Sequence, residues 1–313
     1  MMQIVRFNYP EGKQVFRDLL TSDTPSWIGR NGGSDTDFVE HWDGKTFAHP
    51  NVDLMRRLNG YYDRSSSVEN LHRFRQMYLD SSRATDLCTV HMSSIFGKSL
   101  DGEEYAVNKL KYVYGVDRIM CWRFIENCTY FLESFQEWGE GKKILVVSPF
   151  SRSINHQTSA DRVGNLHKPQ FQFPNCTFVT LDTPITYNTN SWECDSRRDT
   201  EAENWFDTAE QIFEKIKAVA FDVAWLSCGS YAMYLGPRIK KELGKHSIYV
   251  GGMVNLFFNL YNFRYSSTGH DTAVINPSYQ IESLENEELF TEKNLKAFPY
   301  SEGLRAYLGK KEI

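Results

Sequence analysis

Short apolar runs that end in glycine or serine alternate with amphipathic segments along the second half of the chain. Residues 144–147 (ILVV), 221–226 (FDVAWL) and 248–250 (IYV) are each followed by small or polar residues. Residues 201–220 and Tyr231–Leu243 carry apolar side chains at three- and four-residue spacings, as a helix packed on a sheet does. This alternation predicts an α/β fold in which helices flank a mostly parallel, Rossmann-like sheet.

The first half of the chain is less regular and mainly helical in pattern. Residues 27–29 and 86–90 are predicted as short strands, and residues 68–82 and 124–138 as helices. The 313 residues would suffice for about two domains. We nevertheless expect one Rossmann-like domain over residues 1–265, with a helical insertion at about 50–122. Residues 266–313 are expected to form a helical extension, in which residues 281–289 make an acidic, solvated helix.

Charge and composition exclude several classes of protein. The formal net charge is −5 and there is no long basic run, which argues against a nucleic-acid partner. Residues 218–236 approach membrane length but contain Asp222 and fit a strand followed by a helix, so no membrane span is expected. The six cysteines lack CxxC spacing, and the N-terminus lacks a signal-peptide pattern, so we expect a cytoplasmic location.

Familiar catalytic motifs are missing from the sequence. It contains no GxGxxG after a strand, no GxxxxGK[ST] and no GxSxG. Dinucleotide oxidoreductases, P-loop kinases and typical α/β hydrolases therefore become less favoured readings.

The predicted strands end in loops of small, polar residues. Ligands of open parallel sheets bind beyond the carboxyl ends of the strands, where backbone N–H groups freed by glycine suit phosphate oxygens. A phosphorylated ligand such as a nucleotide sugar is therefore expected. The alternative is that glycine and serine only mark strand-to-helix turns. Aromatic side chains near these loops could stack on a base or a pyranose, and they are Trp42, Phe150, Tyr187, Trp192, Tyr261 and Tyr265.

The sharpest local feature is an acidic pair that follows a glycine-rich turn. Asp35 and Asp37 flank one residue, so in an extended loop both carboxylates could approach one Mg²⁺ or Mn²⁺ ion bridged to a diphosphate. Arg30 could hold a phosphate or stabilise the departing nucleoside diphosphate. The alternative reading makes Asp35 a helix N-cap and Asp37 an ordinary first-turn acid.

The same residues carry a resemblance to a known family. The segment 27–35 (WIGRNGGSD) resembles the opening I-G-R-x-G-x-x-E/D signature of GT-D-type glycosyltransferases and their relatives in polysaccharide biosynthesis. Three further blocks, near residues 141–154, 221–231 and 244–265, are similar in the same order, although residues 50–122 show little match. This chain has Asp35-Thr36-Asp37 where the family usually has Asp-x-Glu.

The resemblance implies sugar transfer from a nucleotide-sugar donor to a glycan acceptor, with Arg30, Asp35 and Asp37 as catalytic residues and both aspartates as ligands of a divalent metal. It also implies a set of donor-binding residues: Gly29, Gly32, Gly33, Ser148, Ser151, Ser227, Gly229, Ser230, Gly251, Gly252, Asn255 and Arg264. A homodimer is a further expectation. Two alternatives stay open, namely a non-catalytic glycan- or nucleotide-binding accessory protein and a phosphosugar lyase or hydrolase.

Overall fold

The described residues form an eight-stranded sheet in which every pair of neighbouring strands is parallel. The computed structural model describes residues 3–5, 9–90, 114–121, 123–186, 200–261 and 274–285. The strand order is β1-β4-β3-β2-β8-β7-β5-β6. Its strands are β1 (Gln3–Val5), β2 (Trp27–Asn31), β3 (Leu87–Val90), β4 (Arg118–Cys121), β5 (Lys143–Val147), β6 (Thr177–Leu181), β7 (Val223–Leu226) and β8 (His246–Tyr249). The α/β, Rossmann-like prediction is confirmed.

Helices cover both faces of this sheet. One face is covered by α2 (Gly33–His41), α3 (Pro50–Asn59), α4 (Val68–Arg83), α8 (Trp205–Lys217) and α9 (Tyr231–Leu243). We call it the α9 face. The other, called the α6 face, is covered by α1 (Tyr9–Thr21), α5 (Arg123–Glu126), α6 (Cys128–Trp138), α7 (Ser151–Gln157) and α10 (Val254–Phe257). Within the described ranges, no helix is long and apolar enough to cross a membrane.

Side chains of the central strands point alternately to the two faces, which gives each face its own core. Leu145 and Val147 of β5 belong to the α9 core, whereas Ile144 and Val146 belong to the α6 core. Period-two alternation in strands buried on both sides explains why these segments are continuous apolar runs.

Polar caps fix where the helices begin and end. The Asn204 side chain accepts hydrogen bonds from the backbone N–H groups of Phe206 and Asp207, so α8 starts at Trp205 rather than at residue 201. Asn127 caps α6 in the same way and divides the predicted helix 124–138 into α5 and α6. Gly244 ends α9 in the left-handed conformation.

Two regions that the sequence predicts as helical contain β-strands. The region predicted as a helical insertion, about 50–122, contributes β3 and β4 to the central sheet as well as α3 and α4. The predicted acidic helix 281–289 begins instead with a short strand, Ile281–Glu282 (β10), which pairs in parallel with Leu260–Tyr261 (β9). Residues 286–289 lie outside the described part of the chain.

Candidate functional site

Three neighbouring strands, β2, β8 and β7, end side by side at the carboxyl edge of the sheet. The register pairs Ile28 with Ile248 and Leu226 with Tyr249. After β2 and β7 the chain enters helices on the α9 face, whereas after β8 it enters α10 on the α6 face. Connections that diverge to opposite faces leave a crevice between strand ends, the usual ligand position in open α/β sheets. We call this region the β2–β8–β7 edge.

A buried carboxylate lies at this edge. Asp35, in the first turn of α2, is only 1% exposed, and its Oδ1 accepts a hydrogen bond of 2.8 Å from the Ser230 hydroxyl at the start of α9. Burial raises the pKa of Asp35 to about 6, although hydrogen bonds with Asn59 and Ser230 and the charge of Arg30 partly offset that effect. Asp35 therefore changes its charge close to neutral pH.

Asn59, the last residue of α3, joins the loops that carry these groups. Its side-chain oxygen accepts a 2.7 Å hydrogen bond from Ser34, and its backbone oxygen accepts one of 3.3 Å from the Ser230 N–H. Gly229 has a φ of +62°, and a Cβ there would lie 2.8 Å from the Asn59 oxygen. Only glycine satisfies both constraints at this turn.

The guanidinium of Arg30 lies beside the same edge. Its Nη2 is 3.5 Å from Oε1 of Glu126, with both side chains mostly buried, and its Cζ is 5.8 Å from the centre of the Tyr249 ring. Gly251 has a φ of +59°, and a Cβ at that position would lie 2.6 Å from Arg30 Nη1. The absence of a side chain at Gly251 therefore leaves the room that the guanidinium occupies.

The second aspartate does not join the first. An extended loop is predicted for Asp35 and Asp37, but both lie in α2, where residues two apart point in different directions. Asp35 is buried and Asp37 is exposed. Among the described residues, no three His, Cys, Asp or Glu side chains cluster as metal ligands would. The expected two-aspartate metal site therefore does not fit this geometry.

The glycines around Arg30 have different local roles. A Cβ at Gly29 would lie 2.5 Å from the Thr85 side chain, which makes close packing the reason for glycine there. Gly32 is the N-cap of α2, and its N–H donates a 3.2 Å hydrogen bond to the Tyr78 hydroxyl. Gly33 is the first residue of α2. Gly32 and Gly33 thus lie at the β2–β8–β7 edge, and their role in donor binding stays a prediction.

The loop after β5 has its polar groups occupied by the protein itself. The Ser148 hydroxyl accepts from the Phe150 N–H, and the Ser151 hydroxyl donates to Asp182. The Glu285 carboxylate accepts from the N–H groups of Arg152 and Ser153, at 2.9 and 3.1 Å. The role of Ser148 and Ser151 in a nucleotide cradle stays a prediction, and their hydroxyls already make hydrogen bonds within the protein.

Other predicted donor-binding residues are placed as follows. The Ser227 N–H extends the sheet by donating to the Val147 oxygen, at 2.9 Å. Gly252 follows Gly251 in a 3₁₀ turn at the β2–β8–β7 edge, and Asn255 is buried in α10 directly after it. Arg264 lies outside the described residues.

The predicted stacking aromatics contribute less than expected. Trp42 is buried and packs against Phe38 and His72, so it belongs to the core. Phe150 packs on the edge of the α6 core. Tyr261 is half-buried in β9, and Tyr187, Trp192 and Tyr265 lie outside the described part of the chain.

Sequence reasoning missed four residues that define these surroundings: Asn59, Tyr78, Glu126 and Glu285. Each is a single polar residue in or near a helix or a short strand, and no local pattern distinguishes it from a solvated side chain. The only available signal was the position of Asn59 directly before Gly60, which ends α3 in the left-handed conformation.

Comparison with protein-family models, with curated proteins and with solved structures produced no match for this chain.

Proposed function

We propose that the protein transfers a sugar from a nucleotide-sugar donor to a glycan acceptor at the β2–β8–β7 edge. The observation that carries this proposal is that the charge of Arg30 acts on the buried Asp35, whose hydrogen bond with Ser230 joins the starts of α2 and α9. A cation near a buried carboxylate whose pKa is raised to about 6, at converging strand ends, is typical of a functional site.

The diphosphate of the donor would lie against Arg30. Helices α2 and α9 both begin at this edge, and helix N-termini carry partial positive charge that favours phosphate. Arg30 adds a full positive charge and a fork of donors that matches phosphate oxygens. As the sugar leaves, the same guanidinium would stabilise the charge that develops on the nucleoside diphosphate.

Asp35 is our proposed general base for the acceptor hydroxyl. A base works best when its pKa lies near the working pH, and burial raises the pKa of Asp35 to about 6. The negative charge of a bound diphosphate would increase its proton affinity further. Because Asp35 is only 1% exposed, the acceptor would have to displace the Ser230 hydroxyl, and Asp35 would then take the proton from the acceptor oxygen as that oxygen attacks the anomeric carbon.

The binding-only alternative is favoured by one specific observation. Asp35 is engaged by Ser230 and Asp37 is exposed on another side of α2, so the acidic segment does not form the expected metal site. In this alternative the protein binds a nucleotide or glycan without turning it over, and Asp35 only organises the edge.

Calorimetric titration with UDP-, GDP- and CMP-sugars, with and without Mn²⁺, tests the proposal. We expect one donor class to bind, and mass spectrometry to detect transfer or slow donor hydrolysis that Asp35→Asn abolishes. Absence of binding by every donor to the folded protein would reject the proposal. Binding without turnover, unchanged by Asp35→Asn, would support the accessory alternative.

The remaining expectations belong to the same proposal. A cytoplasmic enzyme would meet nucleotide sugars where they are made, so we propose that location, and fractionation of cells tests it. Light scattering on the purified protein tests the homodimer.

A further inference from the structure

The amide of Asn255 presents a buried acceptor that the described residues do not use. Asn255 is only 3% exposed, and its Oδ1 accepts no hydrogen bond from the described part of the chain. Burying a carbonyl oxygen without a donor is costly, and most such oxygens in folded proteins are paired. An unpaired one beside a candidate site is therefore available for a ligand.

The position of Asn255 brings it to the phosphate end of the site. It lies in α10, four residues after Gly251, and the 3₁₀ turn Gly251–Met253 leads directly into α10. Gly251 is the residue whose missing side chain leaves room for the Arg30 guanidinium. Arg30 and Ile28 are two residues apart in β2, so their side chains point to the same face of the sheet. Ile28 packs in the α6 core, and α10 covers that face.

A second buried amide in the next turn shows what a structural role looks like in this fold. The Asn259 Nδ2 donates hydrogen bonds to the backbone oxygens of Leu166 and Asn276, at 3.0 and 2.7 Å. These bonds link the segment 274–285 to the segment that contains Leu166. The Oδ1 of Asn259 also has no partner among the described residues, but its Nδ2 bonds explain why an asparagine is present there. No such bond from the Asn255 amide is found among the described residues, so a structural role of that kind does not explain Asn255.

The chemistry of the vicinity favours a ligand that carries both a phosphate and a hydroxyl. Arg30 offers donors to phosphate oxygens, whereas the Asn255 oxygen can only accept a hydrogen bond. A sugar ring directly linked to a phosphate supplies an O–H donor next to that phosphate. The ribose and the transferred pyranose of a nucleotide sugar are both such rings.

We propose that Asn255 is a specificity-determining residue, whose Oδ1 accepts a hydrogen bond from a hydroxyl of the ring next to the phosphate held by Arg30. This inference rests on the proposed function, because it assumes that a nucleotide sugar binds at the β2–β8–β7 edge. It adds that the edge discriminates phosphate attached to a sugar from phosphate alone.

Calorimetry with three probes tests the role of Asn255. Wild-type protein and Asn255→Leu, which keeps the branched shape of the side chain and removes the acceptor, are titrated with pyrophosphate, UDP and UDP-glucose, and with GDP and GDP-mannose as a second pair. Asn255→Ala replaces the leucine variant if thermal unfolding shows that the latter does not fold. The pyrophosphate titration is the internal control, because that probe contains no ring.

Removal of one hydrogen bond to a neutral group should weaken binding about five- to tenfold. We expect this loss for the nucleotide sugar and unchanged affinity for pyrophosphate. A loss that already appears with the nucleoside diphosphate identifies the ribose, and a loss confined to the nucleotide sugar identifies the transferred sugar.

Two results would overturn the inference while leaving the proposed function intact. In the first, the wild-type protein binds nucleotide sugars and the Asn255 variant binds them equally well. In the second, the variant loses affinity for all three probes by the same factor. If the wild-type protein binds none of the probes, the proposed function fails together with this inference.

Discussion

The hydroxyl of Ser230 donates a 2.8 Å hydrogen bond to Oδ1 of Asp35, although 195 residues separate the two in sequence. This bond joins the first turn of α2 to the start of α9, and thus the turn after β2 to the turn after β7. It also surrounds Asp35 with protein, because Ser230 and Asp35 are both almost fully buried. A carboxylate held in this way is costly to the fold when it is ionised, which is typical of functional sites.

Asp35→Asn should stabilise the protein at alkaline pH. The folded pKa of Asp35, about 6, lies above the ordinary aspartate value of 3.8, so its neutral form favours folding below pH 3.8 and that contribution is lost as pH rises through 6. Replacing it by a neutral amide should therefore raise the free energy of unfolding by about 1–3 kcal/mol at pH 8. Urea unfolding of both proteins at pH 8 and pH 4 measures the difference.

The increase in the free energy of unfolding that Asp35→Asn causes should be only a small fraction of its pH 8 value at pH 4, where the wild-type carboxyl is neutral in the folded state. Asp37→Asn is the matched control, because Asp37 lies in the same helix with its side chain exposed. It should change stability little at either pH. A destabilised Asp35→Asn at pH 8 would mean that Asp35 is a structural residue.

A comparison of Gly251→Ala with Gly244→Ala should separate two effects of an added Cβ, namely backbone strain and displacement of the Arg30 guanidinium. Both glycines have φ near +60°, so alanine should cost about 1–2 kcal/mol at either position. A Cβ at Gly251 would meet Arg30 Nη1 at 2.6 Å, whereas nothing lies within 4 Å of a Cβ at Gly244. Only Gly251→Ala should therefore displace the guanidinium and weaken nucleotide binding, as measured by calorimetry.

Equal nucleotide affinities for the two alanine variants would show that the position of Arg30 does not matter for the ligand. Thermal unfolding of both proteins provides the control, because similar losses of stability are expected from the shared backbone conformation.

The strands that carry the site could be predicted from the sequence, because parallel strands buried on both faces are continuous apolar runs. Strand β4 could not be predicted in this way, because Arg118–Cys121 is short and contains a charged residue. Asp35 and Arg30 were found because they flank a glycine-rich turn. Asn59 and Glu126 were missed because their approach to those residues depends on the packing of α3 and α5, which no local pattern encodes.

His167 should make the fold sensitive to moderate acid. Burial lowers the pKa of His167 to about 4. The folded protein holds this side chain neutral, so stability is full above pH 6.5 and falls as pH drops towards 4. This lowering of the His167 pKa corresponds to a loss of roughly 3 kcal/mol in the free energy of unfolding in acid.

Urea unfolding between pH 7 and pH 4 should show that His167→Gln reduces this acid-dependent loss, since glutamine does not titrate. His167→Gln should be less stable than the wild type at pH 7, where the packing of the ring is lost. An identical pH dependence in both proteins would assign the loss to other groups.

Glu285→Gln should destabilise the protein and leave the nucleotide site unaffected. The Glu285 carboxylate accepts hydrogen bonds from the Arg152 and Ser153 N–H groups and from the Ser283 hydroxyl. Charge-assisted bonds of this kind contribute about 1–3 kcal/mol, so the free energy of unfolding should fall by a comparable amount. Calorimetry should give the wild-type nucleotide affinity. Tighter binding would instead assign the loop after β5 to the nucleotide cradle.

Nucleotide-sugar affinity of Arg30→Ala compared with Arg152→Ala tests the central claim most directly. Both variants remove one arginine at the carboxyl end of a strand, but Arg30 lies at the β2–β8–β7 edge and Arg152 lies in the helix after β5. For the best donor in the calorimetric panel, Arg30→Ala should weaken binding about 10- to 100-fold, and Arg152→Ala should weaken it less than about threefold. Wild-type affinity in Arg30→Ala, with both variants folded, would contradict the account.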